Sequence, residues 1–370
     1  MALTTISSER LSTNVKTSNL GTELKKKVGQ AKNLIINGAM QVAQRGTSST
    51  AVGYKTVDRM YGGYANTDEA PTFTQADIGS TDAPYLLGFR KSFKIQNGNQ
   101  TSGAGATDEM FMTYNIEAQD LAQSGWDYTS SSSNITLSFW VKSSVAQQFQ
   151  VNMRLYPASG DQKELCFEYT PSANTWTKVT KTIPGAAGNV LRNTNELGMF
   201  IQFPQFYGTD FTANSRPFDT WETKNNNQNY KDYATTWYTT DNATWEITGL
   251  QLEVGSVATD FEHRSFEDDL RRCQRYYEII EAHGNGGIAV AIGQGFNTRK
   301  GFGYLSFKVT KRVAPTAPNI NIAIDQGDTT HDCFFNTTTT GTTIRSSSST
   351  SIGNADITSD GWTNAFSAEL

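Results

Sequence analysis

Short runs in which apolar and polar residues alternate dominate the middle of this chain. KSFKI (91–95), ITLSFWV (135–141), FQVNMRLY (149–156) and WTKVTKTI (176–183) each hold a period of two over several residues. That period sets one face of a strand against a core and the other in water. With MFIQF (199–203) and WEITGLQLEV (245–254), enough such runs accumulate for two packed sheets. Pro157 and Pro184-Gly185 punctuate them as turns. The pattern predicts a mainly β protein with a β-sandwich over residues 31–264.

Both ends break this pattern. Residues 1–30 carry Leu3, Ile6, Leu11, Val15, Leu20, Leu24 and Val28, spaced mostly by four. Such a stripe is too narrow to make a core alone, so it predicts a partly helical attachment or oligomerisation segment, with a flexible tail as the plainer reading of residues 1–10. Ser265 followed by Asp268 is a capping pattern, and Phe266, Leu270, Cys273, Tyr277 and Ile280 then recur by three or four. A linker helix of about four turns is expected over 265–281, with Glu267 and Asp269 early and Arg271, Arg272 and Arg275 late, as the helix dipole favours. IAVAI (288–292), GYLSFKV (303–309) and INIAI (320–324) then predict a small C-terminal β-domain over 282–370. Its small, polar strands give a weak private core, and it is expected to lean on copies of itself.

Composition narrows the function. The 370 residues include 37% hydrophobic and 11% aromatic positions, which suits short strands joined by polar turns. A net charge of −5, with Lys and Arg scattered, gives no footprint for nucleic acid. No window approaches the roughly 20 apolar residues of a membrane span, and the first residues lack a leader pattern, so folding in the cytoplasm of the producing cell is expected. Cys166, Cys273 and Cys333 lie far apart, which argues against disulfides and zinc, and Cys273 on the apolar helix face reads as a small buried hydrophobe.

Candidate chemistry is sparse. His263, His283 and His331 have no partners at metal-ligand spacing, no nucleotide-binding loop opens a helix, and no cofactor is implied. Carboxylate neighbours such as Asp108 with Glu109 or Asp268 with Asp269 exist, but side chains adjacent in sequence point apart. No catalytic residue is therefore assigned. The segment 203–245 differs, stringing Phe206, Tyr207, Phe211, Trp221, Tyr230, Tyr233, Trp237 and Tyr238 among Asn, Asp, Thr and Gln without a strand period. Flat rings beside amides suit sugars, so Tyr207, Phe211, Trp221, Tyr230, Tyr233, Trp237 and Tyr238 are candidate ligand-binding residues on a long loop. The competing reading is that these rings pack the loop onto the sandwich or a neighbouring subunit. Asp210, Asp219 and Asp241 offer oxygens for a structural calcium ion, although no metal site is assigned.

NLIINGAM (33–40), read as an opening strand and followed by Gln41, Arg45 and Gly46, forms a pattern with ITGLQLEVGS (247–256), CQRYY (273–277), YLSFKV (304–309), the turn Arg312-Val313-Ala314-Pro315-Thr316 and the ending FSAEL (366–370). Together these segments resemble a family of bacteriophage virion proteins, the tail fibres or receptor-binding proteins. The resemblance implies a jelly-roll sandwich like that of carbohydrate-binding modules, a homotrimer, attachment to other tail proteins through the N-terminal segment, and adsorption to a host-surface glycan. Where related chains carry Asp-Arg-Trp, this one has Asp58-Arg59-Met60, which leaves any role of that Trp in doubt. A purely structural head-fibre, decoration or tail-assembly protein is the alternative. A glycan-degrading tailspike is a further one, but such spikes usually need a long repetitive stem, and no repeat of that kind occurs here.

Overall fold

A computed structural model describes residues 33–186, 188, 190–281, 288–297, 300–315, 323–324, 337–347, 355–359 and 363–370. The expected N-terminal segment, His283, His331 and Cys333 lie outside the described residues. The sandwich strands are β1 (Ser48–Ser49), β2 (Met60–Ala65), β3 (Thr72–Asp77), β4 (Lys91–Gln96), β5 (Glu109–Glu117), β6 (Asn134–Ser143), β7 (Phe149–Leu155), β8 (Lys163–Tyr169), β9 (Thr177–Pro184), β10 (Leu197–Tyr207), β11 (Trp221–Thr223) and β12 (Thr244–Val254). One sheet, here sheet A, has the order β1-β3-β4-β12-β6-β9, and the other, sheet B, has β11-β8-β7-β10-β5-β2. The connections cross repeatedly between the two sheets, and the pairings within them are antiparallel, which makes a jelly-roll sandwich.

Period-two runs became strands because their alternate residues fill one core. Phe93, Leu137, Phe139, Val141, Trp245 and Ile247 from sheet A meet Met112, Val151, Met153, Leu165, Ile201 and Phe203 from sheet B, all at 1% exposure or less. β10 and β12 have both faces buried over almost their whole length. The segment 208–233 crosses the outer face of sheet B and covers it, fastened there by side chains of β7.

Asn33–Met40 is not a strand. It runs alongside β12 and then turns, with Leu34 N donating to Leu252 O at 2.9 Å and Leu250 N to Gly38 O at 2.9 Å. The Asn33 side chain takes part in the pairing by accepting from Leu252 N at 3.0 Å, and Asn37 (φ 59°) and Met40 (φ 58°) bend the chain away. Gly38 is required there, because a Cβ would stand 2.1 Å from Leu250 O.

The linker helix is shorter than its periodicity promised, spanning Phe266–Gln274. Its N-cap is as expected, Ser265 Oγ accepting from Asp268 N at 3.1 Å. Leu270 and Cys273 pack with Ile36, Val42 and Tyr276, but Phe266 is 54% exposed. Tyr277 and Ile280 leave the helix and enter β13 (Tyr277–Glu281). The last strands are β14 (Ile288–Asn297), β15 (Lys300–Ser306), β16 (Ala323–Ile324), β17 (Gly341–Ser347), β18 (Ala355–Ser359) and β19 (Thr363–Ser367). β13 pairs with β19, and the others form a sheet of order β16-β18-β14-β15-β17. Cys166 and Cys273 are buried free thiols, and burial pushes Cys166 up to about 12. No helix among the described residues is long and apolar enough to cross a membrane.

Candidate functional site

Segments that lie far apart in sequence converge on one joint between the sandwich, the helix and the chain's last residues. Asn37 organises its near side: the amide donates to Val42 O (2.9 Å) and Asp58 O (3.0 Å) and accepts from Val42 N (3.0 Å). Asp58, 1% exposed, accepts from Gln44 N at 3.0 Å and faces Arg45 Nη1 at 3.8 Å. Burial pushes its carboxyl up to about 6, against the pull of Gln44 and Arg45.

Arg59 sits at the centre, in a left-handed backbone conformation (φ 71°) and 1% exposed. Its guanidinium donates to Glu369 Oε2 at 2.5 Å and to Asn115 O at 2.6 Å, with the Tyr276 ring centroid 3.5 Å away. Arg45 grips the other oxygen of Glu369 at 3.0 Å and lies 3.4 Å from the Tyr277 ring centroid. Tyr54 and Asn115 each donate to Leu370 O at 3.1 Å.

A second set of charges closes the far side. Arg275 binds Glu117 in two-pronged fashion, at 2.9 and 2.8 Å, and Tyr276 OH donates to the same carboxylate at 2.5 Å. Burial works against the charge of Glu117, but these donors outweigh it and hold the carboxyl below its usual range. Arg312 donates to Ala368 O (2.8 Å), Glu369 O (2.6 Å) and Asn195 O (3.0 Å), while Lys311 pairs with Glu278 where both are fully buried. NLIINGAM, Asp58-Arg59, CQRYY, Arg312 and the ending SAEL thus build the joint, and Tyr277, Ser367 and Glu369 border an open cleft of 570 Å³ beside it.

The aromatic segment 203–245 is placed differently from the expected exposed loop. Phe206 and Tyr207 belong to β10, Trp221 to β11, and Trp237 with Tyr238 to a helical turn, Thr236–Thr239. Tyr207 (7% exposed), Tyr230 (1%), Trp237 (0%) and Tyr238 (0%) present no open ring face. Phe211, Trp221 and Tyr233 are half-buried. Trp237 and Tyr238 complete one end of the main core, Trp237 Nε1 donating to Thr244 O at 3.0 Å and Tyr238 OH to Asp108 Oδ2 at 3.0 Å. Tyr207 and Tyr230 stack at 4.5 Å over the outer face of sheet B, and both hydroxyls donate to Gln202 Oε1. Gln150 and Asn152 on β7 bond the backbone of Lys231 and Asn229, which fastens the segment down. The expectation of an open sugar platform is corrected for those four buried rings: Trp237 and Tyr238 pack into the main core, and Tyr207 and Tyr230 cover the polar outer face of β7 and β10. Sequence reading missed Gln150, Asn152 and Gln202, whose only signal was amides in period with the core residues beside them.

The carboxylate neighbours do not converge either. Asp108 accepts from Gly105 N (2.7 Å) and Tyr238, Asp268 accepts from the hydroxyl of the N-cap Ser265 (2.7 Å), and Asp269 faces Arg264 at 4.0 Å. Among the described residues no group of three His, Cys, Asp or Glu is gathered to hold a metal. Asp219 pairs with Lys181.

No family model matches this chain, and no curated protein matches it. Among solved structures it is similar to the enzymatically active domain of tailspike protein 4 of bacteriophage CBA120, at 12% identity and a TM-score of 0.34, over 60% of this chain and 21% of that one. A family 16 carbohydrate-binding module matches at 13% identity and 0.28, over 60% of this chain and 99% of its own. A family 11 carbohydrate-binding module of a Clostridium thermocellum cellulosomal cellulase matches at 10% and 0.28, over 59% and 98%.

Proposed function

We propose that this chain is a bacteriophage virion protein, a tail-fibre or tail-tip subunit that binds a host-surface glycan and performs no catalysis. The observation that supports this most is the joint. The residues that resemble the tail-fibre pattern are the ones that lock the sandwich to the C-terminal strands: Asn37, Asp58, Arg59, Arg275, Tyr276, Arg312 and Glu369. Buried ion pairs are a weak source of stability and a good way to select one geometry, which is what a protein transmitting contact between a particle and a cell requires. A homotrimer held by the C-terminal strands and the N-terminal segment would multiply weak sugar contacts.

A purely structural role in the particle is the second reading, and the burial of Tyr207, Tyr230, Trp237 and Tyr238 favours it. Competition separates the two. Purified chain added to host cells before infection is expected to occupy receptors and lower phage adsorption in proportion to its concentration. A chain that neither binds cells nor protects them leaves the structural reading standing.

A further inference from the structure

The outer face of sheet A carries an aromatic-walled pocket outside the joint and outside segment 203–245. Leu137, Phe139 and Val141 of β6 point into the core, so Ser138, Trp140 and Lys142 point outward. Beside them β12 bulges: its register against β6 shifts between Thr248 and Gln251, and Gly249 stands at φ 62°. A Cβ on Gly249 would lie 2.8 Å from Phe89 Cζ and 3.2 Å from Trp140 Cδ1, so the glycine keeps the space between those rings open. The result is a cavity of 180 Å³ walled by Phe89, Trp140 and Phe261.

The walls are held rigidly. Phe89, Phe261 and His263 form a triangle with centroids 4.8, 5.0 and 4.9 Å apart. Two polar groups remain uncommitted. Ser138 is 4% exposed, lines the cavity, and its hydroxyl has no hydrogen-bond partner among the described residues. Lys178 stands directly opposite Trp140 on β9, at the mouth, and makes no ion pair among the described residues.

We propose that this pocket binds one uncharged pyranose ring, the terminal or branching sugar of a surface glycan. Apolar walls with a few convergent polar groups match a sugar, whose C–H faces pack on rings and whose hydroxyls need donors and acceptors. Ser138 Oγ bonds a hydroxyl at the floor, and the Lys178 ammonium donates to one at the mouth. Asp260 also stands on the rim. The cavity lies below the ~300 Å³ from which drug-sized sites begin, so it holds a single ring and not a run of chain.

This assignment rests on the glycan-binding reading, and the test separates them. The full chain is titrated with glucose, galactose, mannose and N-acetylglucosamine, reading tryptophan fluorescence and saturation-transfer NMR, and its binding to host cells is measured alongside. Wild type is expected to bind at least one sugar with a dissociation constant on the order of millimolar. Trp140→Ala is expected to weaken it roughly tenfold and Lys178→Ala by about threefold to tenfold. Lys178 is exposed and its variant keeps the test alive should Trp140→Ala fail to fold. Sugar or cell binding within about twofold of wild type in both folded variants overturns the pocket while the glycan reading stands. A wild-type chain that binds neither sugars nor cells overturns both.

Discussion

Replacing Glu369 is the sharpest probe of the joint. Arg59 is 1% exposed, Glu369 is its one ion-pair partner among the described residues, and its Nε already lacks an acceptor. Glu369→Leu therefore leaves a guanidinium buried with Asn115 O and the Tyr54, Tyr114 and Tyr276 rings around it but no carboxylate. Breaking a buried pair from one side costs about 3–5 kcal/mol, and the upper half of that range is expected here. Arg59→Met is milder, about 3 kcal/mol, because Arg45 still holds Glu369 at 3.0 Å. With both replaced the fully buried guanidinium is gone and Arg45 still faces Asp58 at 3.8 Å, so the double variant is expected to lose about 2 kcal/mol less than the sum of the singles. Urea unfolding, followed by tryptophan fluorescence and by protease cleavage near residues 255–265, reads the cycle. Singles that each cost less than about 1 kcal/mol, or a double that is simply additive, would refute the claim that this contact locks the joint.

Other consequences can be checked on the same material. Asp58 has its carboxyl raised from 3.8 to about 6, so the folded state holds its proton more tightly than the unfolded chain. Stability from this group is complete below pH 3.8 and lost as pH rises through about 6, on the order of 3 kcal/mol at most. Glu117, shifted downward, opposes this at the acid end, since its contribution is present above its ordinary value and lost as pH falls through its folded one. The urea midpoint is therefore expected to be higher near pH 5 than at pH 7.5, and the reverse order would contradict the assignment. Trp237→Ala, in a fully buried site, is expected to cost about 3–5 kcal/mol without changing sugar affinity at a temperature where the variant is folded; a selective loss of affinity would return that ring to a ligand role. Ser265→Ala removes the helix N-cap and is expected to cost about 1 kcal/mol, measured as a shift in the same unfolding curve.

The runs at 91–95, 135–141 and 245–254 were readable because their large apolar residues take alternate positions facing the core, and that alternation writes a period of two into a sequence even where the polar face is covered as well. The cap at Ser265 was readable because it is local. NLIINGAM looks like a strand in composition, but its route is set by the Asn33 and Asn37 side chains replacing backbone partners, which periodicity does not record. β10 and segment 208–233 hid each other: β10, covered on both faces, loses its alternation, and its cover then looks like an exposed aromatic loop. The helix overran its true end because Tyr277 and Ile280 are apolar for a different reason, their place in β13. Arg59 and Glu369 are 310 residues apart, and only the folded chain brings that pair together.

Where the protein sits in the particle decides most directly between receptor binding and a purely structural role. A cryo-electron microscopy map of the virion is predicted to place three copies projecting from the tail, with Trp140 and Lys178 of each facing outward. Density on the head, or sheet A turned against a neighbouring protein, would contradict receptor binding by this chain.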